Sequence, residues 1–191
     1  ATRGLVQNGA IRGESPYDIA SVADYIILSL PKSEIVEDVL IGPAGIRPRL
    51  RPQSVVIDMS TTNPLVTQKI ARQLDEVGID FLDAPVSGHA IGAMNASLTI
   101  MVGGKRKVFL KIKEPIFEKL GENIFYAGPT GTGQALKLVN NLLYNLNRLA
   151  MFEGLVMASK AGIDPEVLCE AVRMSTGSSY CIENLPKDIL R

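Results

Sequence analysis

The 191-residue chain has no tryptophan, one histidine (His89) and two cysteines, Cys169 and Cys181. The cysteines lie twelve residues apart with no histidine or further cysteine beside them. Neither a metal site nor a disulfide framework is expected, and two reduced thiols are the reading. There is no excess of charge of either sign: 20 Lys and Arg face 20 Asp and Glu, without a basic run. Nothing therefore marks a surface for nucleic acid or for an anionic membrane. No apolar stretch approaches the roughly 20 residues that a membrane span needs. The first residues, Ala1-Thr-Arg-Gly-Leu5, lack the charged-then-apolar layout of a secretion signal. A soluble protein of the cytoplasm or the mitochondrial matrix fits, and the sequence does not choose between them. One further motif is missing. No G-x-G-x-x-G, the mark of a dinucleotide loop between a first strand and its helix, precedes the first clear strand.

What is present is enough to build a core, with 46% of residues apolar. Tyr25 to Leu30 is a continuous apolar run closed by Pro31, the pattern of a buried parallel strand. A short helix is expected from Glu34 to Leu40, a strand from Val55 to Ile57, and a helix from Pro64 to about Val77, ended by Gly78. A strand from Ile79 to Leu82, another from Leu98 to Val102, a helix from Lys105 to Leu120 and a strand from Ile124 to Tyr126 complete the alternation. Strands separated by helices of this length predict an α/β fold with a doubly wound parallel sheet. From Gly133 to Ala161 the pattern changes to one long helix, with Leu136, Val139, Leu142, Leu143, Leu146, Leu149 and Ala150 at helical spacing. Gly162 stops it, and Asp164-Pro165 opens the next helix, Glu166 to Met174. Two domains are expected, residues 1–130 and residues 131–191.

Two segments carry chemistry. In Gly131-Thr-Gly133-Gln-Ala-Leu-Lys137-Leu-Val-Asn140-Asn141, Lys137 and Asn141 stand four apart and share a helix face. An ammonium beside an amide can hydrogen-bond one substrate oxygen and hand it a proton. Taken alone, the segment reads rather as a solvated lysine with helix-face polar residues, and a second segment reverses that reading. The second segment is Phe81-Leu-Asp83-Ala-Pro85-Val-Ser87-Gly88-His89. A Ser-Gly loop at the carboxyl end of a strand presents a hydroxyl and bare backbone N–H groups, which suits an anion.

Together these segments resemble the β-hydroxyacid dehydrogenase family, typified by 3-hydroxyisobutyrate dehydrogenase and tartronate semialdehyde reductase. The motifs run in the family order: Leu30-Pro31, Asp58-Met-Ser60-Thr61, D-A-P-V-S-G, the Met-Val-Gly103-Gly104 turn, and G-x-G-x-x-x-K-x-x-N-N. The resemblance implies a Rossmann-like NAD(P)-binding domain over residues 1–130 and a helical substrate and dimerisation domain over 131–191. It implies interconversion of a small β-hydroxy acid and its semialdehyde with NAD or NADP, by a protein that forms a homo-oligomer. Lys137 takes the role of general acid and base, with Asn141 orienting substrate. Ser87 and Gly88 hold the substrate carboxylate. Leu30, Pro31 and Thr61 touch the nicotinamide half of the cofactor, while Ser60 fits a structural role better than Thr61.

The chain departs from the family at His89, which stands where a second glycine is usual and is expected to narrow the pocket, to demand a φ that histidine tolerates poorly, or instead to extend anion recognition. Ala96 also replaces a usual glycine. Two other readings stay open: a 6-phosphogluconate-type dehydrogenase, which places His-Asn where this chain has Asn140-Asn141, and a non-catalytic dehydrogenase-like scaffold. Because the glycine loop is absent, the sheet domain is expected to be N-terminally incomplete and the helical domain C-terminally incomplete. Residues 1–191 by themselves are then expected to bind cofactor weakly and to turn over negligibly.

Overall fold

Successive side chains along the central strands point to opposite faces, and both faces are apolar. In Val55-Val56-Ile57, the first and third side chains pack in one buried cluster and the second in another. Two-residue periodicity with both faces buried is the signature of a sheet covered on both sides. In a computed structural model, which describes residues 3–184, that sheet has six strands.

The elements run α1 (Arg3–Gln7), α2 (Pro16–Ala20), β1 (Tyr25–Leu28), α3 (Ser33–Ile41), β2 (Val55–Asp58), α4 (Pro64–Asp75), β3 (Asp80–Asp83) and β4 (Val86–Ser87). There follow α5 (His89–Met94), β5 (Leu98–Gly104), α6 (Arg106–Lys113), β6 (Gly121–Gly128), α7 (Thr132–Lys160), α8 (Pro165–Arg173) and α9 (Tyr180–Asn184), with short 3-10 turns at Arg47–Arg49 and Phe117–Lys119. Strand order is β1-β2-β3-β5-β4, with β6 on β5. Val36, Leu40, Ile70 and Leu74 of α3 and α4 cover one face, and Phe109 and Ile112 of α6 cover the other with Phe117.

The doubly wound α/β fold stands, but the sheet is mixed rather than parallel. Strands β1, β2 and β3 are parallel to one another, as are β5 and β6, whereas β3 and β4 both pair antiparallel with β5. A parallel return needs a crossover of a dozen residues or more, usually a helix. After β3 the chain enters β4 within three residues, and the six-residue α5 is too short to carry it back. The helix expected over residues 105–120 ends at Lys113 and resumes as a 3-10 turn. Pro115 explains the break, since it lacks an N–H and disfavours helix at the preceding residue.

The chain forms two compact units, Ala1–Lys137 and Leu138–Arg191. The second holds a small core of Met151, Cys169, Cys181 and Ile182, in which both cysteines are free and buried. Asp164 caps α8 by accepting hydrogen bonds from the N–H groups of Glu166 and Val167. Among the described residues no helix is long and apolar enough to cross a membrane.

Candidate active site

Strands β2 and β3 each end in an aspartate after an apolar run, and both carboxyl groups are fully buried. A carboxylate out of water needs donors, and both aspartates have them. The Asp83 carboxylate accepts from the N–H of Gly131 at 2.8 Å and of Gln134 at 3.0 Å, the opening turn of α7. It thereby caps a 29-residue helix from a strand 50 residues earlier. The Asp58 carboxylate accepts from Ser60 N–H at 3.0 Å and from the Thr62 hydroxyl at 3.2 Å. Burial pushes both carboxyl groups above the ordinary aspartate value, against the hydrogen bonds that favour their ionised forms.

Close approach makes this cap possible. A methyl group at Gly103 would stand 2.6 Å from the Asp83 carboxylate, and one at Gly133 would run into the Met101 carbonyl oxygen. Only residues without Cβ let the start of α7 rest on β5 with the carboxylate between them.

Gln134 completes the arrangement and is wholly buried. Its amide donates to the Ser60 carbonyl oxygen at 2.8 Å and accepts from Thr62 N–H at 2.9 Å. The Ser60 hydroxyl in turn accepts from Leu30 N–H at 2.8 Å. One connected set of hydrogen bonds thus runs from the end of β1, through the loop after β2, to the first turn of α7. Lys137 follows Gln134 by three residues on that helix. It is half-buried, and loss of hydration pushes its amine below the ordinary lysine value of 10.5.

The structure brings Leu30, Pro31 and Thr61 together at the carboxyl edge, because β1 and β2 are parallel and in register, with Leu28 beside Asp58. Leu30 is half-buried, while Pro31 and Thr61 are exposed. Ser60, between the exposed Thr61 and the strand, is buried and turned inward. The outward-facing residues of this edge are thus a proline, a half-buried leucine and a threonine.

Ser87 and Gly88 are placed differently. Ser87 pairs with Thr99 on β5, four residues from the Gly103 that faces Asp83. At about 3.3 Å per residue this sets it roughly 13 Å further along that strand, beyond the carboxyl edge. Gly88 has φ +131° and His89 has φ +56°, so the expected backbone demand at His89 is met in the left-handed region. Ala96, the other residue in place of a glycine, has φ +54°. His89 is exposed and opens α5. Asn141 is half-buried on α7, one helical turn beyond Lys137 and within the second compact unit.

Sequence reasoning gave no role to Asp58, Thr62, Asp83 or Gln134. A signal was available for the aspartates: Val55-Val-Ile-Asp58 and Phe81-Leu-Asp83 each end an apolar strand in an acid, and a buried acid requires donors. Gln134 offered none, since a glutamine in an amphipathic helix reads as surface.

Known proteins resemble this chain in sequence and in fold. Residues 1–128 match the model of the NAD-binding domain of 6-phosphogluconate dehydrogenase, and residues 131–191 match the NAD-binding region of NADP-dependent 3-hydroxyisobutyrate dehydrogenase. The chain is 42% identical over 179 residues to 2-(hydroxymethyl)glutarate dehydrogenase of Eubacterium barkeri, covering 94% of this chain and 59% of that protein. It is 40% identical to 2-hydroxy-3-oxopropionate reductase of Escherichia coli K12, covering 94% and 61%. The structure of Mycobacterium tuberculosis 3-hydroxyisobutyrate dehydrogenase with L-serine superposes with a TM-score of 0.87 at 29% identity, covering 95% of this chain and 61% of that one. The chain thus spans about six-tenths of the length of these relatives. Matched along nearly all its own length by two family models and by hydroxyacid dehydrogenases, the chain belongs to the β-hydroxyacid dehydrogenase family.

Proposed function

We propose that the protein carrying this chain interconverts a small β-hydroxy acid and its semialdehyde, using NAD or NADP. Lys137 is the general acid and base. The observation that carries this reading is the placement of a half-buried amine, its basicity lowered by lost hydration, one turn into a helix clamped to two strand ends. A lysine meant only for solubility needs no such clamp.

Leu30, Pro31 and Thr61 form the ledge that receives the nicotinamide. When bound, that ring supplies the hydride in reduction and takes it up in oxidation. The Ser87 hydroxyl and the Gly88 N–H hold the substrate carboxylate, so the reacting carbon is presented to the ledge. In reduction the carbonyl carbon gains the hydride, the C=O π pair moves to oxygen, and Lys137 Nζ donates the proton that makes the hydroxyl. In oxidation the neutral amine removes that proton. An amine that loses its proton more readily than a solvated lysine serves the second direction near neutral pH. Asn141 orients the same oxygen through its amide. Residues 1–130 make up the cofactor domain and residues 131–191 the helical substrate domain. The protein self-associates, a reading supported by Leu142, Leu143, Leu146 and Leu149, each more than half exposed on α7.

The test is steady-state turnover of a panel of β-hydroxy acids by the whole protein, with NAD and with NADP, beside Lys137→Ala. Turnover that falls about 10²-fold or more in kcat in the variant is the expected result. A variant as fast as the wild type would remove Lys137 from the chemistry. Absence of turnover in the wild type on every substrate would favour a scaffold.

A further inference from the structure

The catalytic proposal needs the hydride path and the proton donor to be set relative to each other, and they lie on different segments. Leu30, Pro31 and Thr61 sit on loops after β1 and β2, whereas Lys137 sits on α7, some 70 residues later. Between them, one side chain bonds both partners. The Gln134 amide offers its donor to Ser60 and its acceptor to Thr62, which flank Thr61 on either side. A primary amide is a neutral group able to donate and accept in parallel, as a neighbouring strand would. Its own backbone N–H is tied to Asp83, and Ser60 passes the constraint on to Leu30. Ser60, Thr62, Asp58, Asp83 and Gln134 are all buried, so the bonds of this set are largely sheltered from water.

We infer that Gln134 is a positioning residue that holds the nicotinamide ledge in register with Lys137 by bracketing Thr61. It touches neither substrate nor cofactor. The role rests on the proposed dehydrogenase activity, whereas the bracket itself does not, and the two can be separated experimentally.

Glutamate at this position supplies the means. Protonated, its carboxyl group donates to the Ser60 oxygen and accepts from Thr62 N–H, reproducing the glutamine. Ionised, it loses the donor and sets a negative charge among the groups that face it. The titratable groups nearest in the bonded set are Asp83 on β3, which accepts from its backbone N–H, and Asp58 at the end of β2, which accepts from the Thr62 hydroxyl, with Lys137 one turn along its own helix. Gln134→Glu is thus a bracket opened by base and closed by acid, and Gln134→Met is one that stays open.

The experiment follows two readouts in the whole protein across pH. The first is the amide signal of Thr62 in spectra of ¹⁵N-threonine-labelled protein. In Gln134→Glu it should shift with pH and return toward the wild-type position on acidification, while in Gln134→Met it should stay displaced throughout. The second is kcat at saturating substrate and cofactor. It should fall about 10-fold or more in both variants at neutral pH, with the KM for the dinucleotide nearly unchanged. Acidification should restore it in Gln134→Glu alone, relative to wild type at the same pH. A Thr62 signal indifferent to both substitutions would overturn the bracket. A responsive Thr62 with wild-type kcat in the folded Met variant would overturn the positioning role. If the wild type itself turns nothing over, the dehydrogenase reading and the positioning role fall together, and the Thr62 signal still decides the bracket.

Discussion

Two stretches beside the carboxyl edge of the sheet are built on opposite plans. Residues 58–62 and 131–134, with Asp83, are buried apart from the exposed Thr61 and the half-buried Thr132, and their inward polar groups bond one another across three elements. Residues 88–97 are mostly exposed, and their backbone bonds close on themselves, from Gly92 to Gly88, Asn95 to Ile91 and Ser97 to Gly92. The first stretch spends its polarity on fixed geometry. The second holds its shape through local turns, two of them with non-glycine residues at positive φ. Under the proposed function, the transfer of a hydride and a proton needs the first property where donors are held and tolerates the second where the substrate is gripped.

The sharpest way to break the contrast is Asp83→Ala. It strips the acceptor from two buried N–H groups at about 1–3 kcal/mol each, so a loss of roughly 2–6 kcal/mol is expected in urea or thermal unfolding. A loss below about 1 kcal/mol would mean that α7 does not depend on its cap.

A smaller effect comes from Asp58→Asn, which keeps an acceptor for Ser60 N–H but no longer titrates. The Asp58 carboxyl group has a folded pKa raised above its ordinary 3.8 by burial. Its contribution to stability is therefore fully present below that value and is lost as pH rises through the folded pKa. The stability advantage of wild type over the variant should be largest at acid pH and shrink toward neutrality, as denaturation at a series of pH values will show. An advantage that grows with pH would reverse the assignment.

The smallest effect is expected in the open stretch. His89→Gly relieves a left-handed residue, a gain of about 1–2 kcal/mol, offset by about 0.5–1 kcal/mol of added chain entropy. A net rise of about 0–1.5 kcal/mol in unfolding free energy should result, read by the same denaturation. A marked loss would show that the imidazole makes contacts that matter to the fold.

Much of this was legible in the sequence. The apolar runs at Tyr25, Val55 and Leu98, and the long helix after Gly131, declared themselves because periodicity is a local property. The direction of β5 was not legible, since antiparallel return depends on how little chain separates it from β3. Lys137, Ser87 and Thr61 stood out through motif resemblance, which selects residues of known chemistry. Gln134 and Asp83 stayed hidden because their partners lie 48 to 74 positions away. No window of sequence pairs a helix glutamine with a loop carbonyl that distant.

The self-contained turn bonding of residues 88–97 carries a consequence for how such a protein can diversify. A segment that borrows no side-chain hydrogen bond from its surroundings, among the described residues, can be exchanged as a cassette. Under the proposed function, new lengths or side chains there alter what the site admits without rewriting the buried bonds around Gln134. By the same logic, the steps most open to engineering lie in one ten-residue segment.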